Sequence, residues 1–179
     1  YKIRGAYNLI QSLSAVQRQN GVVCASAGNH AQGVAFSCKL LNIHGVIYMP
    51  TITPKQKINQ VKMFGGENIE IILIGDTFDE CQVHAIQYCA EKNKAFIPPF
   101  EHLKVIEGQG TIAKEILEET QNVDYVFVPI GGGGLCAGLG VYFKEYSPKT
   151  KIIGVEPLGA PSMKEALKAG KPVALEKMT

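Results

Sequence analysis

Three short stretches of this chain carry residue types that can do chemistry together. Tyr1-Lys2-Ile3-Arg4-Gly5-Ala6 opens the chain, Ser26-Ala27-Gly28-Asn29-His30-Ala31-Gln32-Gly33 follows, and Gly131-Gly132-Gly133-Gly134-Leu135 comes third. Lys2 offers an amine, which condenses with a carbonyl compound when unprotonated; burial or a neighbouring cation lowers its pKa and frees the lone pair. The four glycines follow the strand-like run Tyr125-Val126-Phe127-Val128 and precede a helix-like stretch with Leu139, Tyr142 and Phe143. Strand, glycine loop and helix start together make an anion site, because backbone N–H groups meet a phosphate with no side chain in the way. The Ser26–Gly33 segment also lies between a strand and a helix. It can turn N–H groups toward a carboxylate and leave the Asn29 amide free for a ligand oxygen.

Each stretch also has a plainer reading. Lys2 taken alone is a solvated surface lysine. Arg4 either adds to a positive field or pairs with a carboxylate, and Gly5 lets the backbone approach a ring or phosphate. Ser26 and Asn29 are also good helix caps, and His30 alone reads as a satisfied structural histidine. The glycine run is also a tight turn that needs small residues. It is not a Walker loop, since no Gly-Lys-Ser/Thr follows it, and it lacks the dinucleotide spacing. Glu156 lies at roughly the distance of a ribose-binding acid, so a nucleotide remains open.

The elements that must position these residues alternate along the chain. Apolar runs starting at Gly21, Gly45 and Ile69 are spaced 24 residues apart (21, 45, 69), and the shorter Ala95-Phe96-Ile97 follows. Short buried-looking strands with room for a helix between them predict successive βαβ units and a parallel sheet. Asp76 is expected to cap a helix running to about Lys92, with Phe78, Cys81, Ala85 and Cys89 on its apolar face. Thr53 is expected to cap the segment that Pro54 opens. Pro98-Pro99-Phe100 breaks the rhythm and marks a crossing to another layer or domain. Beyond it the pattern predicts a helix from about Thr111 to Thr120, a strand at Tyr125 to Val128 and a helix after the glycines. A strand at Ile152 to Val155 and a helix near Ser162 to Lys168 complete it.

Bulk composition excludes several classes. The 179 residues carry a formal net charge of +2, and the lysines are scattered rather than clustered, so no nucleic-acid surface is expected. No apolar run reaches the 18 or so residues of a membrane span, and no signal peptide is visible. The five cysteines are odd in number and form no C-x-x-C pair, which suits reduced, buried thiols in a cytoplasmic protein. The four histidines are dispersed, so no metal site is expected. The chain opens on Tyr1 rather than methionine, and residues are expected beyond both ends.

Met49-Pro50 with Pro54-Lys55, Gly108-Gln109-Gly110-Thr111 and Gly154-Val155-Glu156-Pro157 join the first three stretches in a fixed order. On these six motifs the chain resembles the threonine dehydratase group of fold-type II pyridoxal-phosphate enzymes, the tryptophan synthase β-like class. That resemblance implies an α/β fold of two three-layer αβα domains with largely parallel sheets and the cofactor between them. Residues 1–99 would form the smaller domain and 100–179 part of the larger one. It implies pyridoxal 5'-phosphate as cofactor, held by Lys2, with Asn29 on the ring hydroxyl oxygen. Gly131, Gly132, Gly133, Gly134 and the Leu135 backbone would hold the phosphate, and Ser26, Asn29 and His30 the substrate carboxylate.

The reaction implied is α,β-elimination of L-threonine to 2-oxobutanoate and ammonia, in isoleucine biosynthesis or threonine catabolism, with Lys2 removing the α-proton. The full-length protein would be a cytoplasmic homodimer or homotetramer, acting on a small amino acid and on neither nucleic acid nor membrane. L-serine dehydratase and serine racemase are the alternatives within the class. In racemase relatives a serine before Gly-Asn delivers a proton to the opposite face of the α-carbon, and here that position is Ala27. Their divalent cation uses an acid six residues after the Glu-Pro glutamate, and here that residue is Ser162. Both departures favour elimination and no metal. A non-catalytic nucleotide module would leave Lys2 and the Ser26–His30 turn without a purpose.

Overall fold

The apolar runs of the first hundred residues pair as one parallel sheet. In the computed structural model, which describes residues 1–120 and 122–175, the strands are β1 (Val22–Ala25), β2 (Gly45–Met49), β3 (Ile69–Leu73) and β4 (Ala95–Phe96). Their order is β3-β2-β1-β4 and every pairing is parallel, with Cys24 opposite Ile47 and Val23 opposite Phe96. Alternate strand residues serve two different cores. Val22, Cys24, Ile47 and Met49 pack with α1 (Lys2–Ser12), α3 (Asn29–Leu41) and α4 (Lys55–Gly65). Val23, Ala25, Val46 and Tyr48 pack with α5 (Phe78–Lys92) on the other face. A strand covered on both faces must be apolar at every position, which is why the central strands β1 and β2 show no polar alternation while the edge strand β3 admits Glu70. Each fully buried aliphatic side chain contributes about 1.5–3 kcal/mol.

The chain divides into two units, one ending at Gly108 and the next starting at Gln109. In the first, the connection from β1 to β2 runs through α3 on one face, whereas that from β3 to β4 runs through α5 on the other. The direction of winding therefore reverses between β1 and β4. Two helices near the start were not foreseen: α1, which carries Lys2, and α2 (Ala15–Asn20), which is closed by a reciprocal capping box between Ser14 and Gln17.

Three expected helix starts are corrected. Thr77, not Asp76, caps α5: its hydroxyl accepts from the Glu80 N–H while Glu80 reaches back, and Asp76 instead accepts from the Thr51 hydroxyl at 2.7 Å. Cys81, Ala85 and Cys89 face the core as expected, but Phe78 stays exposed. Thr53 does not cap α4, since Pro54 occupies the N-cap and bonds through no side chain. The helix expected from Thr111 begins eight residues earlier (111 − 103), as α6 (Leu103–Glu119), its start held by the His102 Nδ1 accepting from the Lys104 N–H at 3.1 Å. Gly108 and Gly110 lower the local helix propensity, and packing overrides it.

The second unit carries a parallel pair, β5 (Tyr125–Pro129) and β6 (Lys151–Val155), with α7 (Gly134–Tyr146) between them in sequence and α8 (Ser162–Ala169) after. Its core joins Ala113 of α6, Val128 of β5 and Leu139 and Phe143 of α7. Of the 100–179 span expected to belong to the larger domain, residues 121 and 176–179 lie outside the described residues. Among the described residues no helix is long and apolar enough to cross a membrane.

Candidate active site

In an open parallel sheet, a crevice forms at the carboxyl ends of two neighbouring strands whose connections leave in opposite directions. Here those strands are β1, which runs into Ser26 and the start of α3, and β4, which runs into Ile97-Pro98-Pro99-Phe100. Lys2 reaches the β4 exit from the first turn of α1. Its Nζ donates to the Pro99 carbonyl oxygen at 2.6 Å and lies 5.5 and 5.6 Å from the ring centroids of Tyr1 and Phe100. Partial burial holds the Lys2 amine below the ordinary lysine range, and the Glu101 carboxylate opposes that shift. Lys2 is thus half-buried, not the solvated lysine of the plainer reading. With Asn29, Gln32 and the edge-on ring pair Phe36 and Phe64 it lines a cavity of about 430 Å³.

The Ser26–His30 turn is not closed by a side-chain cap. The N-cap of α3 is Gly28, and the Ser26 hydroxyl accepts from the Gly28 N–H at 3.2 Å instead of reaching into the helix. Asn29 is the first helical residue, and its amide is exposed beside Lys2. The cap reading of Ser26 and Asn29 is therefore corrected: the first turn of a 13-residue helix is left without a side-chain acceptor, at its partially positive end. His30 turns inward and is only 4 % exposed. Its Nε2 lies 2.8 Å from the Ile97 carbonyl oxygen and must donate, because a carbonyl can only accept. Its Nδ1 is then a bare acceptor, buried with no hydrogen-bond partner. Burial, with the nearby Lys2 charge assisting and the Ile97 bond opposing, lowers its pKa to about 4, so the ring is neutral. Of His30, only the backbone N–H is available to an anion.

The glycine run forms the start of α7. Gly133 is the N-cap at φ +84°, a conformation that favours glycine, and no side chain caps the helix. A Cβ added to Gly131 would meet nothing within 4 Å, so the space beside that glycine is open, whereas one on Gly133 would lie 3.2 Å from the Met163 Cε. Such an uncapped helix end behind bare glycines fits a phosphate, as the Lys2 amine and the exposed Asn29 amide fit an aldehyde beside a ring hydroxyl. Glu156 has another task. Its carboxylate accepts from the N–H groups of Met163 at 2.7 Å and Lys164 at 2.9 Å and from the Ser162 hydroxyl at 3.3 Å, which caps α8. These bonds, that from Met163 first, hold its pKa below the usual carboxylate range and occupy the oxygens a ribose would need. Among the described residues no group of three or more His, Cys, Asp or Glu side chains is placed to hold a metal ion. The five cysteines are unpaired, and all but Cys136 are buried.

Sequence reasoning missed the Pro99 carbonyl, a backbone group that leaves no residue-type signal, and the Phe36–Phe64 pair, whose i and i+28 spacing shows only once α3 and α4 are packed together.

The first unit thus carries a half-buried amine at a switch point, and the second an uncapped helix start behind glycines. The chain belongs to the family described as pyridoxal-phosphate dependent enzyme, whose profile matches residues 1–179. It is 55 % identical over 179 residues to the biosynthetic L-threonine dehydratase of Halalkalibacterium halodurans, covering 99 % of this chain and 43 % of that protein. It is 58 % identical over 167 residues to that of Staphylococcus saprophyticus, covering 91 % and 40 %. Among solved structures it resembles the processed form of threonine deaminase isoform 2 from Solanum lycopersicum, with a TM-score of 0.94 and 48 % identity over 98 % of this chain and 50 % of that one. It also resembles maize serine racemase, with a TM-score of 0.93 and 35 % identity over 99 % and 53 %. The chain thus spans about two fifths of the length of these dehydratases.

Proposed function

We propose that the protein containing this chain eliminates the β-hydroxyl and the amino group of L-threonine, releasing 2-oxobutanoate and ammonia. The observation that carries this reading is the Lys2 amine: half-buried, lowered in pKa, bonded to Pro99 and beside Asn29 in one cavity. The names of the two dehydratase relatives support the choice of substrate. Pyridoxal 5'-phosphate, when bound, supplies an electron sink for the negative charge that develops at the substrate α-carbon. Lys2 is the residue to hold it and, once released, to take the α-proton; a lowered pKa leaves more of the amine able to accept it. The Asn29 amide bonds the ring hydroxyl oxygen. The amides of Gly131, Gly132, Gly133, Gly134 and Leu135 hold the phosphate. The Ser26 turn, with the N–H groups of Asn29 and His30, orients the substrate carboxylate. Residues 1–99 belong to the smaller domain and 100–179 to the larger, in a cytoplasmic homodimer or homotetramer.

Serine dehydration and serine racemisation are the competing readings, the second favoured by the likeness to maize serine racemase. Ala27 stands against racemisation because its methyl group has no proton to deliver. The test is to supply the full-length protein with L-threonine and L-serine and measure 2-oxobutanoate, pyruvate and D-serine. Faster 2-oxobutanoate release supports the proposal, faster pyruvate release favours the serine dehydratase, and D-serine formation at a comparable rate overturns the elimination reading.

A further inference from the structure

We infer that Gly33 and Gly108 are positioning residues for the Lys2 amine, acting as the two bare seats on which the first turn of α1 rests. A Cβ on Gly33 of α3 would lie 2.9 Å from Ile3 N, 3.0 Å from Ile3 Cα and 3.1 Å from the Lys2 carbonyl carbon. A Cβ on Gly108 of α6 would lie 2.5 Å from Arg4 O and 2.7 Å from both the Arg4 carbonyl carbon and Gly5 Cα. Every one of these contacts is to backbone, so no rotamer change relieves it and the turn itself must move. The two seats belong to different helices and touch peptide units 2–3 and 4–5. Together they fix both the height and the rotation of the turn that carries Lys2.

The amine is sensitive to that placement. Its 2.6 Å bond to Pro99 O is lost beyond about 3.5 Å. A turn displaced by the overlap of one methyl group shifts the backbone from which the ammonium reaches Pro99, and on this inference the bond loosens and the amine is exposed. The titratable groups that face Lys2 are Glu101 from the β4 exit, the neutral His30 from α3 and the Tyr1 phenol beside it. The depressed basicity of Lys2 arises mainly from burial, so it reports directly on where the turn sits. The inference concerns the amine itself, and its bearing on catalysis rests on the reading of Lys2 as the cofactor's lysine.

The test is reductive methylation of the full-length protein, freed of cofactor, with formaldehyde and cyanoborohydride from pH 6 to 10. Mass spectrometry scores the Lys2 peptide against exposed Lys62. In Gly33→Ala and Gly108→Ala the midpoint of the Lys2 profile rises toward the ordinary lysine range, and labelling near neutral pH falls about tenfold for each pH unit it rises. Gly110→Ala is the control: the nearest atoms to its Cβ would be Gly138 backbone, the closest being O at 3.1 Å, so it strains α6 against α7 and leaves the Lys2 profile unchanged. Thermal melting establishes that each variant is folded. An unchanged Lys2 profile in either folded variant overturns the inference, and so does unfolding of both, which would make these glycines packing residues only. Borohydride trapping of cofactor on the unsubstituted protein is scored separately. Its failure would overturn the proposed function while leaving the labelling comparison to decide this one.

Discussion

His30 donates through Nε2 to the carbonyl oxygen of Ile97 at 2.8 Å, two residues before the Pro99 carbonyl that receives the Lys2 amine. The imidazole therefore braces the segment on which Lys2 is docked, and it does so in the neutral state.

That neutrality sets a pH dependence of stability. The His30 pKa is about 4 in the fold against 6.5 unfolded, so between these values the unfolded chain binds more protons. Stability contributed above pH 6.5 is lost as the pH falls toward 4, by about 3 kcal/mol in all. Denaturant midpoints measured from pH 7 down to 4.5 should fall for the native sequence and stay nearly level for His30→Gln, which keeps an N–H for Ile97. Parallel curves would contradict this account.

Lys2→Ala should remove covalent attachment of the cofactor and lower oxo-acid release by about 10²–10⁴-fold or more in the full-length protein, since it removes the proposed general base. Borohydride reduction followed by peptide mapping checks the attachment, and a product assay checks the rate. A labelled peptide elsewhere in the chain would assign the role to another lysine.

Gly131 and Gly133 should separate binding from folding. A methyl group on Gly131 meets no neighbour, so Gly131→Ala should change stability by less than about 0.5 kcal/mol. It should nonetheless weaken cofactor binding about tenfold or more, because the methyl stands in the phosphate's approach. Gly133→Ala should also destabilise the fold by about 1–2 kcal/mol, because φ there is +84° and the Met163 Cε would lie 3.2 Å from the new carbon. Fluorescence titration with pyridoxal phosphate and thermal melting read the two effects. Unaltered affinity in Gly131→Ala would remove the phosphate role from that residue.

Thr77→Ala should cost about 1 kcal/mol by opening the capping box of α5, whereas Asp76→Ala should cost less than about 0.5 kcal/mol. Chemical denaturation of the two variants decides which residue closes the helix.

Asp76 and Thr77 also illustrate what a sequence can reveal. The strands around Val23 and Ile47 were legible because burial on both faces demands apolar residues throughout, whereas the edge strand around Ile71, which admits Glu70, was legible from its 24-residue spacing. The start of α5 was legible to within one residue, but two adjacent polar side chains compete for the cap and only the backbone geometry chooses. The beginning of α6 was not legible, since Gly108 and Gly110 argue against a helix until the close approach of Arg4 and Gly138 is known. Lys2, Asn29 and the glycines could be singled out from residue type and order alone, as candidates. The inward turn of His30 and the Pro99 acceptor depend on where two strand exits meet, which no local pattern records.

Strand β4 has a further consequence because it is so short. It meets β1 at two register positions only, and the last ladder bond there is the one from the Ile97 N–H to the Val23 carbonyl. Had the pairing continued, the oxygens of Ile97 and Pro99 would have been drawn toward a neighbouring strand's amides, as backbone acceptors inside a sheet are. Early truncation of the ladder releases them, and the lone pairs spared become the handholds for an imidazole and an amine. The berth of Lys2 and His30 is thus furnished by main chain that stopped being sheet early.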